Sequence, residues 1–377
     1  MNRQKSSGRF RFAAASILLA ALIFLVPALQ AGDPSLYLLA VLVPCIFFLC
    51  ETVIARIFSL DRMIMALVFW LCTAGIAALS QSGSDAALAQ SLRCGAALVA
   101  LLIGGIMIRT LSPSLLTSSC TSFLGLLLLA GKLYSPALSL PLTEVAMALL
   151  LIAFSSLSAR QSTVFALLLG LAVLSLLLIT GSFTDAAFWS LIILLLAFAA
   201  DGRLILVLPA LAVVSLLFFI AFRLFPVPEF SGGSSSLKVL AAAGAVGTES
   251  LPEGFASADV HSLFLPLAGH YGLIFAGLNA LLFLPLTLRG TAVASAARTR
   301  FHAVLAMGAS LMLSLRALAA ILSAFGFLPV PDLRLPFLTD SLPDLCAQLF
   351  LAGILCGISG RNDADLAEDA HLAMLAK

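Results

Sequence analysis

The chain has 377 residues, 62% of them hydrophobic and 10% charged, with a formal net charge of +2 and a mean hydropathy of +1.16. A water-soluble globular protein of this length has no means of keeping so much Leu, Ala, Ile and Phe off its surface, so the bilayer is the solvent for most of the fold. The near-neutral charge, with no basic patch interleaved with aromatics, excludes nucleic acid as a partner.

Apolar runs separated by charged or Pro/Gly/Ser breaks predict an all-α polytopic membrane protein with about twelve transmembrane helices. In chain order they lie near 12–30, 37–55, 63–80, 94–111, 119–131, 142–158, 163–180, 186–200, 204–225, 261–288, 302–326 and 344–360. The first, behind Arg3, Lys5, Arg9 and Arg11, reads as an uncleaved signal anchor, because Leu29-Gln30-Ala31 lacks a small residue at the third position back from the candidate cleavage point. The 119–131 and 186–200 runs are short for a full crossing and predict tilted, broken or partly re-entrant helices.

Lys and Arg gather in cytoplasmic loops, and with both termini in the cytoplasm most basic residues fall on that side, including Arg56, Arg62, Arg109, Arg160, Arg203, Arg289, Arg298, Arg300 and Arg361. The outside then receives Arg93, Lys132, Arg223, Lys238 and Arg334, together with acidic residues such as Asp85, Asp185, Glu249, Glu253, Asp259 and Asp344. Seven cysteines are scattered without a CxxC or a Cys/His cluster, so no metal site and no cofactor is identified. Walker A, GxGxxG, HExxH and G-x-S-x-G motifs are likewise missing. Gly353-x-x-x-Gly357 reads as close packing within the chain.

The longest connection, 226–260, contains an apolar stretch, Leu237–Gly247, too short to span and read as an interfacial or re-entrant helix on the outer face. Lys238, Glu249, Glu253, Asp259 and His261 are its titratable groups, each also explained by a solvated loop. Within the spans, Glu51, Glu144, His270 and Arg316 are the ionisable residues, and each requires a partner or an aqueous cavity. Glu144 sits near the outer surface, where snorkelling explains it. Arg316 lies deeper, where a structural pairing with Glu144 or an outer-loop carboxylate stands beside a ligand role.

Gly326-Phe-Leu-Pro-Val-Pro-Asp-Leu-Arg-Leu-Pro-Phe-Leu-Thr is similar to the G-L-L-P-x-T-G-x-x-L-P-F-x-S stretch of the SEDS family, the FtsW, RodA and SpoVE proteins of shape, elongation, division and sporulation. Asp61-Arg62 resembles the entry to that family's first span, and Leu142-Thr143-Glu144-Val145-Ala146 its P-S-E-F-A element. Lys238 to Gly247 resembles its K-I-A-I-G-S-G-G segment, and Val260-His261-Ser262 its V-H-[ST]-D outer-loop motif. The resemblance covers residues 61–361 as a ten-helix SEDS-like membrane domain with its large outer loop at 226–260. It leaves 1–60 as a basic tail with two accessory helices and 362–377 as a cytoplasmic tail.

That resemblance implies a protein of bacterial cell-wall synthesis in the cytoplasmic membrane. It would polymerise the lipid-linked precursor lipid II into glycan on the outer face, with a penicillin-binding transpeptidase as partner. The implied chemistry needs a base for the acceptor hydroxyl and positive charge near the departing pyrophosphate. The family's Asp after V-H-[ST] is replaced: one alignment puts Leu263 there, another puts His261 there with Asp259 at the family's His. Met147 replaces the Lys that follows P-S-E-F-A, Arg160 the Asp of D-L-G-T, and Ala320 an Asn. Asp259 and His261 are therefore the substitute catalytic pair, with a solvated loop pair as the alternative. Glu144, Lys238, Arg316 and Arg334 are the candidate substrate-binding residues. A non-catalytic partner of lipid II or of a penicillin-binding protein, or a transporter or flippase, are the alternative functions. A divalent metal requirement is left open.

Overall fold

The computed structural model describes residues 34–80, 83–134, 142–160, 163–225, 240–245, 247, 263–328 and 333–375. Among them, ten helices are long and apolar enough to cross a membrane, with the shorter apolar helix Thr163–Ile179 alongside. The predicted 12–30 span lies outside the described residues.

We number the helices α1 (Pro34–Ile57), α2 (Arg62–Ser80), α3 (Ser84–Thr110), α4 (Leu115–Tyr134), α5 (Leu142–Arg160), α6 (Thr163–Ile179), α7 (Phe183–Asp201) and α8 (Leu204–Leu224). After the long connection come α9 (Phe264–Leu281), α10 (Phe283–Ser295), α11 (Arg300–Ala324) and α12 (Leu342–Leu375). A chain in hydrocarbon has to satisfy its backbone internally, and nearly every described segment does so as helix. The two runs read as short are complete helices, α4 and α7. α3 begins ten residues ahead of the predicted 94, and α12 continues beyond 360 into the expected tail, as far as Leu375.

α2, α5, α11 and α12 form the centre of the bundle, whereas α4 and α8 present most of their side chains outward. The tightest seam joins α3 to α12. A Cβ on Gly353 would collide with the Leu101 carbonyl, and one on Gly357 with the Gly105 backbone, so these glycines let two helix backbones touch within the chain.

The span expected at 261–288 is one candidate crossing, Phe264–Ser295, in which α9 runs directly into α10, and α9 itself is broken. Gly272 has φ 86 and ψ 164, a conformation that favours glycine. The break frees the amides of Leu273 and Ile274, which donate to the carbonyls of Gly244 at 3.1 Å and Ala245 at 3.3 Å. Residues 240–243 form a helical turn with Leu240 and Ala243 buried. The described part of the predicted Leu237–Gly247 helix thus packs on the α9 break and supplies its missing acceptors.

A second irregular segment, 333–341, carries the predicted family stretch. Leu335, Phe337, Leu338 and Thr339 are buried, and two glutamines hold the backbone. Gln90 donates to the Thr339 carbonyl at 2.8 Å, and the Phe337 amide donates to Gln348 at 2.7 Å. Non-helical backbone at membrane depth is tolerated where protein buries and satisfies it.

Asp61 closes one end of the bundle. Its Oδ1 accepts the Met63 amide at 2.9 Å, capping α2. Its Oδ2 accepts Arg289 Nε at 2.8 Å and the Ser359 hydroxyl at 2.7 Å, so α2, α10 and α12 are pinned together.

The α3–α12 seam has a direct test. Gly353→Leu has no room beside the Leu101 backbone and is expected to cost about 3 kcal/mol or more through overpacking, seen as lost monodisperse protein and a lower unfolding temperature in detergent. Gly95→Ala, where an added Cβ meets nothing within 4 Å, is expected to leave both unchanged.

Candidate functional site

Successive helices alternate in direction, which collects the predicted outer residues at the end opposite Asp61. Glu144 and Asp185 stand in the first turns of α5 and α7, and Arg316 lies two turns short of the end of α11. Arg316 pairs through Nη1 with Glu144, while Nη2 reaches Asp185 Oδ1 at 3.3 Å and Met147 Sδ at 3.5 Å. The guanidinium carbon lies 5.9 Å from the Phe188 ring centroid. The pairing expected of Arg316 with Glu144 is present, and Asp185 is a second carboxylate on the same cation.

These groups differ in access. The Glu144 side chain is 10% exposed and that of Arg316 14%, whereas Asp185 is 27% exposed. Asp185 is therefore the member of the cluster best placed to meet a ligand, and Arg316 the one that holds the carboxylates. Arg316 Nε is buried without a partner among the described residues.

Arg334 leads from the buried 333–341 segment and pairs with Asp344 in the first turn of α12. Asp344 Oδ1 is buried with no described partner. Lys132, at the end of α4, donates to the Ser182 hydroxyl at 2.6 Å. Among the described residues, Lys132, Arg316 and Arg334 thus cluster with Glu144, Asp185 and Asp344 at one end of the bundle. Such an end can accept hydrogen bonds from sugar hydroxyls at Asp185 and offer positive charge to a phosphate from Lys132 and Arg334.

The structure brings together Glu144, Arg316 and, one layer outward, Arg334. Lys238, Asp259 and His261 lie outside the described residues. Leu263, at the position one alignment gives to the family's Asp, is buried, with its amide on the Leu338 carbonyl at 3.3 Å. Among the described residues no group of three or more His, Cys, Asp or Glu is arranged to hold a metal ion.

Sequence reasoning placed Asp185 on the outside but not in the site. Its place in the first turn of a span, level with Glu144, was the available signal. Gln90 and Gln348 were missed as well. An amide side chain in an apolar helix calls for a partner, and here the partner is the 333–341 backbone.

Residues 256–363 match the family model described as a cell cycle protein of the FtsW/RodA/SpoVE type. A probable peptidoglycan glycosyltransferase FtsW from two strains of Geobacter sulfurreducens is 38% identical over 90 residues, which cover 24% of this chain and 24% of the relative. The chain thus aligns with about a quarter of that relative's length. Among solved structures, an aspartate-to-alanine mutant of the Thermus thermophilus rod shape determining protein RodA superposes with a TM-score of 0.59 at 20% identity, over 80% of this chain and 97% of that one. A peptidoglycan synthase complex, solved for its coordination of polymerization and crosslinking, gives a TM-score of 0.57 at 19% identity, over 81% of this chain and 98% of that one. These two likenesses establish the fold.

Arg316→Leu leaves two poorly solvated carboxylates without their cation, and removing one partner of a buried pair costs about 3–5 kcal/mol. The expected result is a clear drop in the unfolding temperature of the purified protein. Adding Glu144→Gln and Asp185→Asn to Arg316→Leu is expected to recover part of that loss. Arg316→Lys is expected to fall short of wild type because an ammonium does not present the planar fork that meets both carboxylates.

Proposed function

We propose that the chain is a member of the FtsW/RodA/SpoVE (SEDS) family of cell cycle proteins, whose model matches residues 256–363, and that it works in bacterial peptidoglycan synthesis, engaging a polyprenyl-linked disaccharide of the lipid II type at the Glu144 end of the bundle. That end faces outward and both termini lie in the cytoplasm, an orientation supported by the excess of arginine at the Asp61 end. A penicillin-binding transpeptidase is the proposed partner, because the structurally similar peptidoglycan synthase complex couples polymerization with crosslinking.

One observation carries the reading. Met147 stands where the resemblance has a lysine after the P-S-E-F-A element, and Met147 Sδ touches Arg316 Nη2. The positive charge beside Glu144 comes instead from Arg316 on the facing α11. Charge is thus present beside Glu144 without that lysine, which supports a site able to take an anionic or sugar-bearing ligand.

In glycan polymerisation the acceptor hydroxyl loses a proton as the polyprenyl pyrophosphate departs. Leu263 has no acceptor and is buried in the core. Proton removal therefore falls to Asp259 with His261, whose ordinary pKa of ~6.5 suits a base near neutrality. A second reading, binding of the precursor without chemistry, is favoured by that same buried Leu263.

Purified protein is expected to bind lipid II and, with a penicillin-binding transpeptidase present, to form glycan strands resolved on gels. Asp259→Ala or His261→Ala is expected to lower the polymerisation rate by about 10²-fold or more, the scale of a positioned base. Retained lipid II binding with no strand from the wild type establishes the non-catalytic reading. Absence of binding as well sinks the proposal.

Orientation is checked with reporter fusions. A reporter at Arg298 is expected in the cytoplasm and one inserted near Ser234 outside; the reverse pattern would place the Glu144 end in the cytoplasm and remove it from any outer-face chemistry.

A further inference from the structure

α1 is α-helical from Pro34 to Leu49 and then opens into a π turn over Cys50–Ile54, closed by the Ala55 amide donating to the Cys50 carbonyl. Inside this turn the Thr52 hydroxyl donates to the Phe48 carbonyl at 2.8 Å. A π turn has poorer hydrogen-bond geometry than the α-helix around it and is found mostly at functional sites. This one contains Glu51, a half-buried carboxylate less than two turns from the end of α1 at Ile57.

A carboxylate in an apolar span requires a counter-charge. Among the described residues Glu51 has no hydrogen bond and no ion pair, and the cation within its electrostatic reach is Arg62 at the start of α2. Arg62 likewise makes no hydrogen bond or ion pair among the described residues. The adjoining Asp61 is engaged by Arg289 and Ser359, and Arg109 donates to the Phe58 carbonyl. α1 and α2 thus hold two opposite charges near each other without letting them touch. From the same level a stripe of exposed apolar side chains, Leu38, Leu42, Ile46, Leu49, Val53 and Ile57, runs along α1. A carboxylate and a guanidinium set apart beside an apolar stripe match the three parts of a zwitterionic phospholipid: its ammonium, its phosphate and its acyl chains.

We propose that Glu51 and Arg62 form a headgroup site for phosphatidylethanolamine, with the primary ammonium on Glu51, the phosphate on Arg62 and the acyl chains along the α1 stripe. The exposed Arg56, further along α1, can also take phosphate oxygens, so Glu51 is the group that decides between headgroups. A glycerol headgroup brings no cation to Glu51, and a choline headgroup brings a cation with no N–H to donate. The primary ammonium supplies both the charge and the hydrogen bond. The site is independent of the peptidoglycan reading, because it lies at the opposite end of the bundle from Glu144 and requires no chemistry.

The test titrates the full-length protein in a neutral detergent with phosphatidylethanolamine, phosphatidylcholine or phosphatidylglycerol of identical acyl chains. Retained lipid is read by native mass spectrometry, and the unfolding temperature is followed in parallel. Wild type is expected to prefer phosphatidylethanolamine over phosphatidylcholine by about tenfold or more, the scale of a hydrogen bond to a charged group. Equal retention of the two overturns the site, and so does phosphatidylglycerol retained above phosphatidylethanolamine. Glu51→Gln is expected to bring the two zwitterionic lipids to near equality, while its unfolding temperature without lipid stays at or above that of wild type because an uncompensated carboxylate has gone. A preference that survives Glu51→Gln overturns the assignment. Arg62→Gln is expected to lower retention of all three lipids together. Arg203→Gln, exposed on the turn between α7 and α8, is expected to change nothing, and an equal loss there means a diffuse surface field and overturns the site. No headgroup preference in wild type, with a lower unfolding temperature in lipid-free Glu51→Gln, assigns the carboxylate to a counter-charge within the chain such as Arg9 or Arg11 and likewise overturns the lipid site.

Discussion

A charge carried into a bilayer has to meet its counter-charge inside the protein, because no water is there to solvate it. Both ends of this bundle are built around that requirement. At one end Asp61 accepts from Arg289, from Ser359 and from the first turn of its own helix, so one carboxylate fixes three helices. At the other, Arg316 holds Glu144 and Asp185 and thereby joins α5, α7 and α11. Between the two ends the packing is largely apolar, with a few interhelical hydrogen bonds such as Trp70 to Asn279 and Trp189 to the Gly170 carbonyl. The ends therefore determine which helices are neighbours, and the glycines of α3 and α12 determine how close they come.

The same requirement applied to backbone explains the two irregular segments. A helix broken at Gly272 exposes amides that cost several kcal/mol each if left unpaired in lipid. The Gly244 and Ala245 carbonyls are their acceptors, so the long outer connection is bound into the bundle at this point. The 333–341 segment is satisfied differently, by glutamines reaching in from α3 and α12. Both segments lie toward the Glu144 end, as does Arg334. The irregular backbone is thus concentrated where the charged cluster is, while the Asp61 end is made of short turns between regular helices.

Much of this was legible in the sequence, and the physical reason is the strength of the hydrophobic signal. Apolar runs located nearly every described helix, and the alternation of spans put Glu144 and Arg334 at the same end, with Arg316 deeper within its own span. Other features are pairwise and non-local. Gly272 within an apolar run is indistinguishable from a helical glycine until the 240–245 segment is seen to supply acceptors. Asp185 looked like one more loop-side acid, since nothing local ties it to a residue on α11. The backbone of 333–341 is held by Gln90, 249 residues from its partner Thr339, and by Gln348 in the helix that follows. Leu263 was noted as the replacement for an aspartate, but its burial against the Leu338 backbone follows only from tertiary packing.

The cation beside Glu144 comes from a facing helix, and that decides what else the site contains. A lysine at the Met147 position would place an ammonium beside Glu144 from the same helix. With methionine there the neighbourhood still contains one cation, now from α11, and the thioether packs against it. Because a guanidinium meets two carboxylates at once where an ammonium serves as a point charge, Arg316 holds Asp185 as well as Glu144. The consequence is a site whose positive charge is committed to holding carboxylates. Arg334 is likewise paired, with Asp344, whereas Lys132 donates to the neutral Ser182 hydroxyl. On the proposed reading an anionic ligand would therefore meet Lys132 before either arginine.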